Sequence, residues 1–452
     1  MKKNNSYIII LLSILSILSY ACSLNTPNPS LTNTNNTPSS VPTSTSSASS
    51  FTFIPIPTVS NSPVNDIEIG ENLIDNPGAE IQDTKKDAPA NWIQNSFGNI
   101  ESVFSWGTQD PFSGKKYLSI SVNKHTDGDA KWYFAPKTLK VNSWYKYSEV
   151  YRSNVKTRFT YLIDNPNKPQ TNFPEVWKVD PSDSWNEASF RFYIMSKETS
   201  HRSIMHIIDR QGWLDTDEHK LIEIKPHPLP FPVVSITFDD IKKTAVSIGL
   251  PELEKRGIKG TFFITKNLVL NPDNSNADMV AVSKLVKQKH EIGSHSATHS
   301  YLAEMTPDKI NDEMSESIKF LKEDLTIYPK GIAYPFGDFS DIVGQKAKTY
   351  FYYARTTLDG FNDALFDQYK LKIKSVNNKT TSEQLIEWVD EAKQTSTWLI
   401  LLFHDLGDPN PVNEYMVPTA YFTTLLDYIQ KQNIAVMTVS EAIEKLRGIS
   451  IN

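Results

Sequence analysis

Two histidines four residues apart, His295 and His299, follow an adjacent carboxylate pair, Asp239 and Asp240. A third histidine, His404, ends an apolar run of six residues, Trp398–Phe403. Two imidazoles and one carboxylate are the donor set of a catalytic zinc-type ion that keeps one position open for water. The second carboxylate is then left to act as a base, and His404 as an acid. Taken singly, each feature is weak. An isolated Asp-Asp pair is commonly a turn or a helix start, and an isolated His-x-x-x-His is commonly two surface histidines on one helix. What matters is where in the fold they fall.

From Phe231 onward, short apolar runs alternate with helical stretches. Strands are expected at Val233–Phe238, 259–264, Glu291–Ser294, 331–334, 350–354, 371–376, 399–403 and 435–439, with helices at 244–256, 279–289 and 307–324. Thr306 followed by Pro307 suits the start of the last of these helices. Repeated βα units imply a parallel sheet covered by helices. A domain over 233–448 suits an α/β fold, a distorted (β/α)7-type barrel smaller than the eightfold one. In such barrels the reactive groups lie at the C-terminal ends of the strands. Asp239 and Asp240, His295, Pro335 with Phe336, and His404 each follow an expected strand.

The preceding region, 66–225, is β-rich. Alternating runs such as 117–122, 189–194 and 203–208 are separated by turn signals such as Asn76-Pro77-Gly78 and Ser113-Gly114. This pattern implies an all-β sandwich, jelly-roll-like. Its opening, from Asn72 to Glu80 and then Pro89-Ala90-Asn91-Trp92, resembles the start of jelly-roll carbohydrate-binding modules. Seven of the nine tryptophans lie between Trp92 and Trp213, and Trp106, Trp132 and Trp177 are candidates for stacking on sugar. Prolines at 226, 228, 230 and 232 make 226–232 a stiff connector between the two regions. His201 and His290 have no partners at ligand spacing and are expected to be structural or surface residues; His227, in the connector, is expected to be solvated.

The N-terminus reads as an export signal over residues 1–22. Lys2 and Lys3 precede an apolar stretch from Tyr7 to Ala21, too short to span a bilayer as a helix. The single cysteine, Cys22, follows at once, and the arrangement resembles a bacterial lipoprotein processing site with Ala21 before the lipidated residue. The expectation is a cell-envelope protein anchored to the membrane through Cys22, or otherwise a secreted one. Residues 23–65 contain no charged side chain and are dominated by Ser, Thr, Asn and Pro, a disordered tether. The net charge of −6 and the lack of any basic block beyond the N-terminus argue against a nucleic-acid partner. Oligomeric state is not legible.

Residues 233–446 resemble the NodB-homology domain of polysaccharide deacetylases, carbohydrate esterase family 4. Thr237-Phe238-Asp239-Asp240 matches the family's first motif and His295-Ser296-Ala297-Thr298-His299 its second. Tyr334-Pro335-Phe336-Gly337 falls where the third belongs, and Leu402-Phe403-His404 matches the fifth. The resemblance implies metal-dependent removal of N-acetyl groups, or sometimes O-acetyl groups, from a polysaccharide. It assigns the ion to Asp240, His295 and His299, the base to Asp239 and the acid to His404. It gives the backbone N–H of Phe336 to an oxyanion and Leu402 to the acetyl methyl, with Tyr334 and Pro335 around the same pocket. Zinc is the expected ion, with cobalt, nickel or manganese as other occupants of such a donor set.

The chain also departs from the family. Ala333 stands where the third motif usually begins with arginine, and the usual fourth motif is not evident. Ala354-Arg355-Thr356-Thr357 occupies that region, and Arg355 is expected to supply the missing positive charge from a neighbouring strand end. The Tyr-Pro-x-Gly form resembles a branch containing poly-N-acetylglucosamine deacetylases. Asp405 is the local candidate for supporting His404, with capping of the following loop as the equal alternative. The leading reading is an exported, metal-dependent deacetylase of an N-acetylglucosamine-containing polymer; beside it stand an O-acetyl esterase acting on xylan or a similar glycan, and a non-catalytic surface carbohydrate-binding protein.

Overall fold

The computed structural model describes residues 66–164, 175–408 and 412–450. The export signal, Cys22 and the tether over 23–65 lie outside the described residues. Among the described residues, no helix is long and apolar enough to cross a membrane.

Seven parallel strands close into a ring: Val233–Phe238, Thr261–Ile264, Glu291–Ser294, Gly331–Ala333, Tyr353–Asp359, Leu371–Ser375 and Trp398–Phe403. They are numbered here first to seventh. The ring closes twice over on the first strand. Thr237 and Phe238 pair with Thr261 and Phe262, while all six residues of the first strand pair in register with Trp398–Phe403. A short eighth segment, Ala435–Val436, pairs with Val233 and Val234, where the second strand does not reach. Every residue of the first and seventh strands is buried, as expected of parallel strands covered on both faces. The expected sevenfold barrel is therefore the one observed.

Some boundaries differ from expectation for identifiable reasons. The stretch 244–256 is not one α-helix. A wide π turn, Ala245–Gly249, precedes a short α-helix, Leu250–Glu254, because Pro251 has no N–H to continue a regular ladder backwards. The fifth strand starts at Tyr353 because Tyr350 completes the helix Asp341–Tyr350, which Ser340 caps. The last strand stops at Val436 because Thr438 and Glu441 form a reciprocal capping box and Val439 opens the helix Val439–Arg447.

Upstream, two antiparallel sheets face each other. One runs in the order Ser182–Ile194, Ser143–Ser153, Gly212–Ile224, Tyr117–His125, Ile100–Gly107. The other runs Trp92–Phe97, Asp129–Phe134, His201–Ile208, Thr157–Ile163, Glu175–Val179. Rings from the two sheets meet between them, as in Tyr147 with Phe159 (6.0 Å between centroids) and Phe104 with Trp132 (5.4 Å). Of the three tryptophans considered for sugar stacking, Trp132 and Trp177 are core residues. Trp106 is partly buried, with the Lys116 ammonium 4.2 Å from its ring.

A buried polar cluster sits inside this sandwich. Glu149 meets His206 Nδ1 at 2.6 Å and the Tyr147 hydroxyl, with His219 Nε2 3.6 Å away. Burial opposes the charge on Glu149, yet the two histidines and Tyr147 hold its carboxyl below the ordinary value. Burial also holds the His219 imidazole below its ordinary value of 6.5. Both shifts are downward, so the unfolded chain binds more protons on the acid side. The His219 contribution is complete above pH 6.5 and fades as pH falls; that of Glu149 is complete above its ordinary 4.5 and fades below. Melting temperature is expected to drop between pH 7.5 and pH 5, and His219→Gln to flatten that drop. An unchanged slope in the variant would remove His219 from the effect.

The sandwich packs on the barrel rather than standing off from it. Tyr151, Trp177 and Val179 share one apolar cluster with Phe339, Val343 and Tyr369. Arg191 makes a forked pair with Asp363 at 2.9 and 2.6 Å. The proline connector lies against the barrel, with the Leu229 side chain buried and its N–H donating to the Ser396 carbonyl at 2.7 Å. His227 is half-buried rather than solvated, and its carbonyl accepts from Ala364 at 2.8 Å. His290 is a structural residue, bonded to Glu254 at 2.9 Å and accepting from the Gly260 N–H at 3.0 Å. His201 pairs with Thr138 at 2.9 Å.

Candidate active site

The register of the barrel places the reactive groups on one rim. The first and seventh strands end side by side, and the Asp239 N–H extends their pairing by donating to the Phe403 carbonyl at 3.0 Å. That brings Asp239 next to His404 in the fold. At Asp240 the chain turns sharply, with φ of +59° there and +51° at Ile241. Ser296, His299 and Phe336 share this left-handed backbone at +64°, +60° and +59°. Such conformations are uncommon outside glycine and cost on the order of 1–3 kcal/mol each, so the surroundings must impose them.

For the loop carrying the two histidines, those surroundings can be named. Glu313, on the buried face of the helix Pro307–Leu325, accepts from the backbone N–H of Ala297 (3.1 Å) and Thr298 (2.9 Å) and from the Thr298 hydroxyl (2.7 Å). Ser294 bonds Ser317 of the same helix at 2.7 Å and accepts from the Ser296 N–H at 3.2 Å. The His299 N–H donates to Ser296 Oγ at 3.0 Å.

Asp240, His295 and His299 converge. Asp240 Oδ1 lies 3.0 Å from His299 Nε2 and 3.4 Å from His295 Nε2. One donor atom from each of the three lies within 4.8 Å of the others. His295 Nδ1 donates to the Ala333 carbonyl at 2.8 Å, which fixes the ring and aims Nε2 at Asp240. Asp239 Oδ1 and Asp240 Oδ1 are buried without a well-formed hydrogen bond among the described residues. Carboxylate oxygens buried in this state need a partner. Two neutral imidazole nitrogens and a carboxylate oxygen beside them fit a divalent ion of the zinc type.

The charges agree. Burial opposes ionisation of Asp240, but contact with His295 and His299 holds its carboxyl far below the usual range. Burial opposes protonation of His295, but Asp239 and Asp240 raise its pKa above the ordinary value. A cation at this point would meet the same negative field.

Arg355 is fully buried, and its guanidinium bonds Asp239 Oδ2. It also donates to the Thr356 carbonyl at 3.1 Å and lies 5.1 Å from the centre of the Phe263 ring. Its place in the sheet is informative. Ala333, where the related motif carries arginine, is the direct register partner of Arg355 on the next strand. The positive charge has moved one strand over.

His404 follows the seventh strand, with its ring 4.5 Å from that of Tyr415. Burial lowers its pKa, and the charges of Asp239 and Asp240 work in the other direction. Its Nδ1 has no hydrogen-bond partner among the described residues. Asp405 does not support it. That carboxylate accepts from Thr244 Oγ1 and from Asn413 Nδ2 (2.8 Å), tying down the loop that follows.

Leu402 is buried on the seventh strand between Thr237 and Ser375. Phe336 is half-exposed, with its ring 4.4 Å from that of His299. Tyr334 departs from the expected pocket position. It is fully buried, stacked on Phe339 at 5.8 Å, and its hydroxyl donates to the Tyr369 carbonyl at 3.2 Å. Tyr334 is thus a core residue, and Pro335 beside it is also buried. Glu313 was missed by sequence reasoning, although a carboxylate three residues after Ile310 on a mainly apolar helix face was the available signal. Tyr301 and Tyr415, both about half-exposed beside the site, carry no spacing signal.

Residues 227–354 match the family model described as polysaccharide deacetylase. An uncharacterized protein of Bacillus subtilis, YlxY, is 31% identical over 94 residues, which are 21% of this chain and 28% of that relative. A peptidoglycan-N-acetylglucosamine deacetylase of Bacillus cereus is 26% identical over 217 residues, 47% of this chain and 88% of that protein. Among solved structures, a family 4 acetyl xylan esterase from Clostridium thermocellum superposes with a TM-score of 0.36 at 21% identity, covering 49% of this chain and 94% of that one. The chain spans less than a third of the length of the Bacillus subtilis relative. The family-model match falls on the part of the barrel that carries Asp239, Asp240, His295 and His299, and the chain therefore contains a polysaccharide deacetylase domain.

Proposed function

We propose that this chain is a metal-dependent hydrolase that removes N-acetyl groups from an N-acetylglucosamine-containing glycan. The observation that carries the reading is the convergence of Asp240, His295 and His299 on one point, with Asp239 and His404 on the same rim. In this reading Asp240, His295 and His299 hold the ion. When bound, it supplies Lewis acidity, polarising the acyl carbonyl and acidifying water.

The chain's own residues do the rest. Asp239, oriented through Oδ2 by Arg355, takes a proton from the attacking water through Oδ1. The new C–O bond forms at the acetyl carbon, and the backbone N–H of Phe336 donates to the developing oxyanion. As the C–N bond breaks, His404 gives its proton to the sugar nitrogen, and acetate leaves. An amide nitrogen is too poor a leaving group to depart without that proton. Leu402 lines the space for the acetyl methyl.

The test is acetate release from N-acetylated chito-oligosaccharides and from O-acetylated xylo-oligosaccharides, each with and without a chelator. The expected result is release from the first substrate, abolished by chelation and restored by added zinc. Release from the xylo-oligosaccharides alone would replace the amide reading by the ester one. No release from either, whatever metal is added, would sink both.

A further inference from the structure

Two large aromatic side chains stand half-exposed beside the metal-ligand side of the site. Tyr301 is 51% exposed and Phe336 50%. Their rings are stacked 4.1 Å apart at 13°, and Phe336 in turn abuts His299. Buried stacked pairs need no explanation, but an exposed pair at the edge of a site does. The flat face of such a pair suits the C–H face of a pyranose ring, as aromatic walls do in small-molecule sites.

The two loops that carry this pair are tied together from the sandwich. Lys178, on the edge strand Glu175–Val179, contacts Asp338 Oδ1 at 2.5 Å and Glu304 Oε1 at 3.0 Å. Glu304 lies three residues after Tyr301, and Asp338 two residues after Phe336. The other oxygen of Asp338 accepts from the Ala303 N–H at 2.8 Å, so the loops are also joined directly. The Lys178 ammonium lies 5.7 Å from the centre of the Tyr301 ring. Lys178 is largely buried, and Asp338 almost wholly so, which makes this a formed junction rather than a surface ion pair. Lys156 adds a second strap from the sandwich, onto the Ala303 carbonyl.

We propose that Tyr301 and Phe336 form a stacking platform for a sugar ring neighbouring the acetylated one, and that the sandwich holds this platform in place through Lys178. The proposal rests on the reading of the site as a glycan deacetylase. It gives the sandwich a role in substrate binding that does not pass through its tryptophans. Lys178 is a positioning residue here; it acts on the glycan only through Glu304, Asp338 and the two rings.

The experiment is calorimetric titration of the full-length protein with N-acetylglucosamine and with its tetramer, and of the variants Tyr301→Ala, Lys178→Met and Lys178→Arg. An O-acetylated xylotetraose serves as the second glycan. Loss of one aromatic face should weaken tetramer binding by about tenfold and monosaccharide binding by less than about twofold. Lys178→Met should move the same ratio in the same direction, and Lys178→Arg should restore it. Tyr301 is exposed, so its truncation leaves the core untouched. Tetramer affinity within twofold of the wild type in Tyr301→Ala overturns the platform, as does failure of the wild type to bind either tetramer. Equal weakening of monosaccharide and tetramer in Lys178→Met overturns the positioning role. Binding that behaves as expected without acetate release would leave the platform standing and remove the deacetylase reading.

Discussion

Asp239→Asn is expected to lower acetate release by about 10³-fold or more while the protein still takes up one divalent ion. The substitution keeps the size of the side chain but removes the group able to accept a proton, and general-base steps contribute about 10²–10⁴-fold. Two features sharpen the expectation. Asp239 is buried, and Oδ2 is already committed to Arg355, so only Oδ1 is left for chemistry. The ligand trio does not include Asp239, so metal content should be unchanged. Steady-state kinetics beside elemental analysis of the same preparation decides it. A variant with near-normal rate would strip Asp239 of its role, and one that loses both rate and metal would make it a ligand.

His295→Ala should act on the other half of the site. Removing one of three protein ligands is expected to weaken ion binding by more than about 100-fold, since even groups that merely orient a ligand are worth 10–100-fold. His295 is fixed at both ends, by its backbone N–H on the Ile264 carbonyl at 2.8 Å and by Nδ1 on Ala333. No nearby side chain among the described residues replaces it in the trio. Competition against a chromogenic chelator gives the affinity directly. Unchanged affinity would contradict ligation and with it the proposed chemistry.

The barrel was legible because its first and seventh strands are short apolar runs buried on both faces, and helical stretches separate the strands between them. Val233–Phe238 and Glu291–Ser294 are observed with the expected limits. Boundaries failed where a local signal was outweighed or overlooked. Thr438 and Glu441 carry the capping-box spacing, yet the apolar residues Ala435, Val436 and Met437 before them suggested a longer strand. Pro251 broke a helix whose apolar pattern continued through it. At the site, the convergence of Asp240, His295 and His299 was legible because side chains that follow strand ends share a rim. The partners of those side chains were less so. Glu313 reaches the histidine loop from a helix, and Asp405 turns to Thr244 and Asn413; both depend on how loops close. Arg355 was anticipated as a charge from a neighbouring strand, but its direct pairing with Ala333 needed the register of the sheet.

The apolar cluster shared by the sandwich and the barrel has a consequence for how the protein can be divided. Cutting at the prolines would strip Tyr151, Trp177 and Val179 from the flank formed by Phe339, Val343 and Tyr369 and leave that flank wet. Greasy surface uncovered in this way drives self-association. The barrel is therefore not a portable cassette. Its flank stays covered only while the preceding sandwich is present, and truncations that treat residue 226 as a free joint are expected to self-associate.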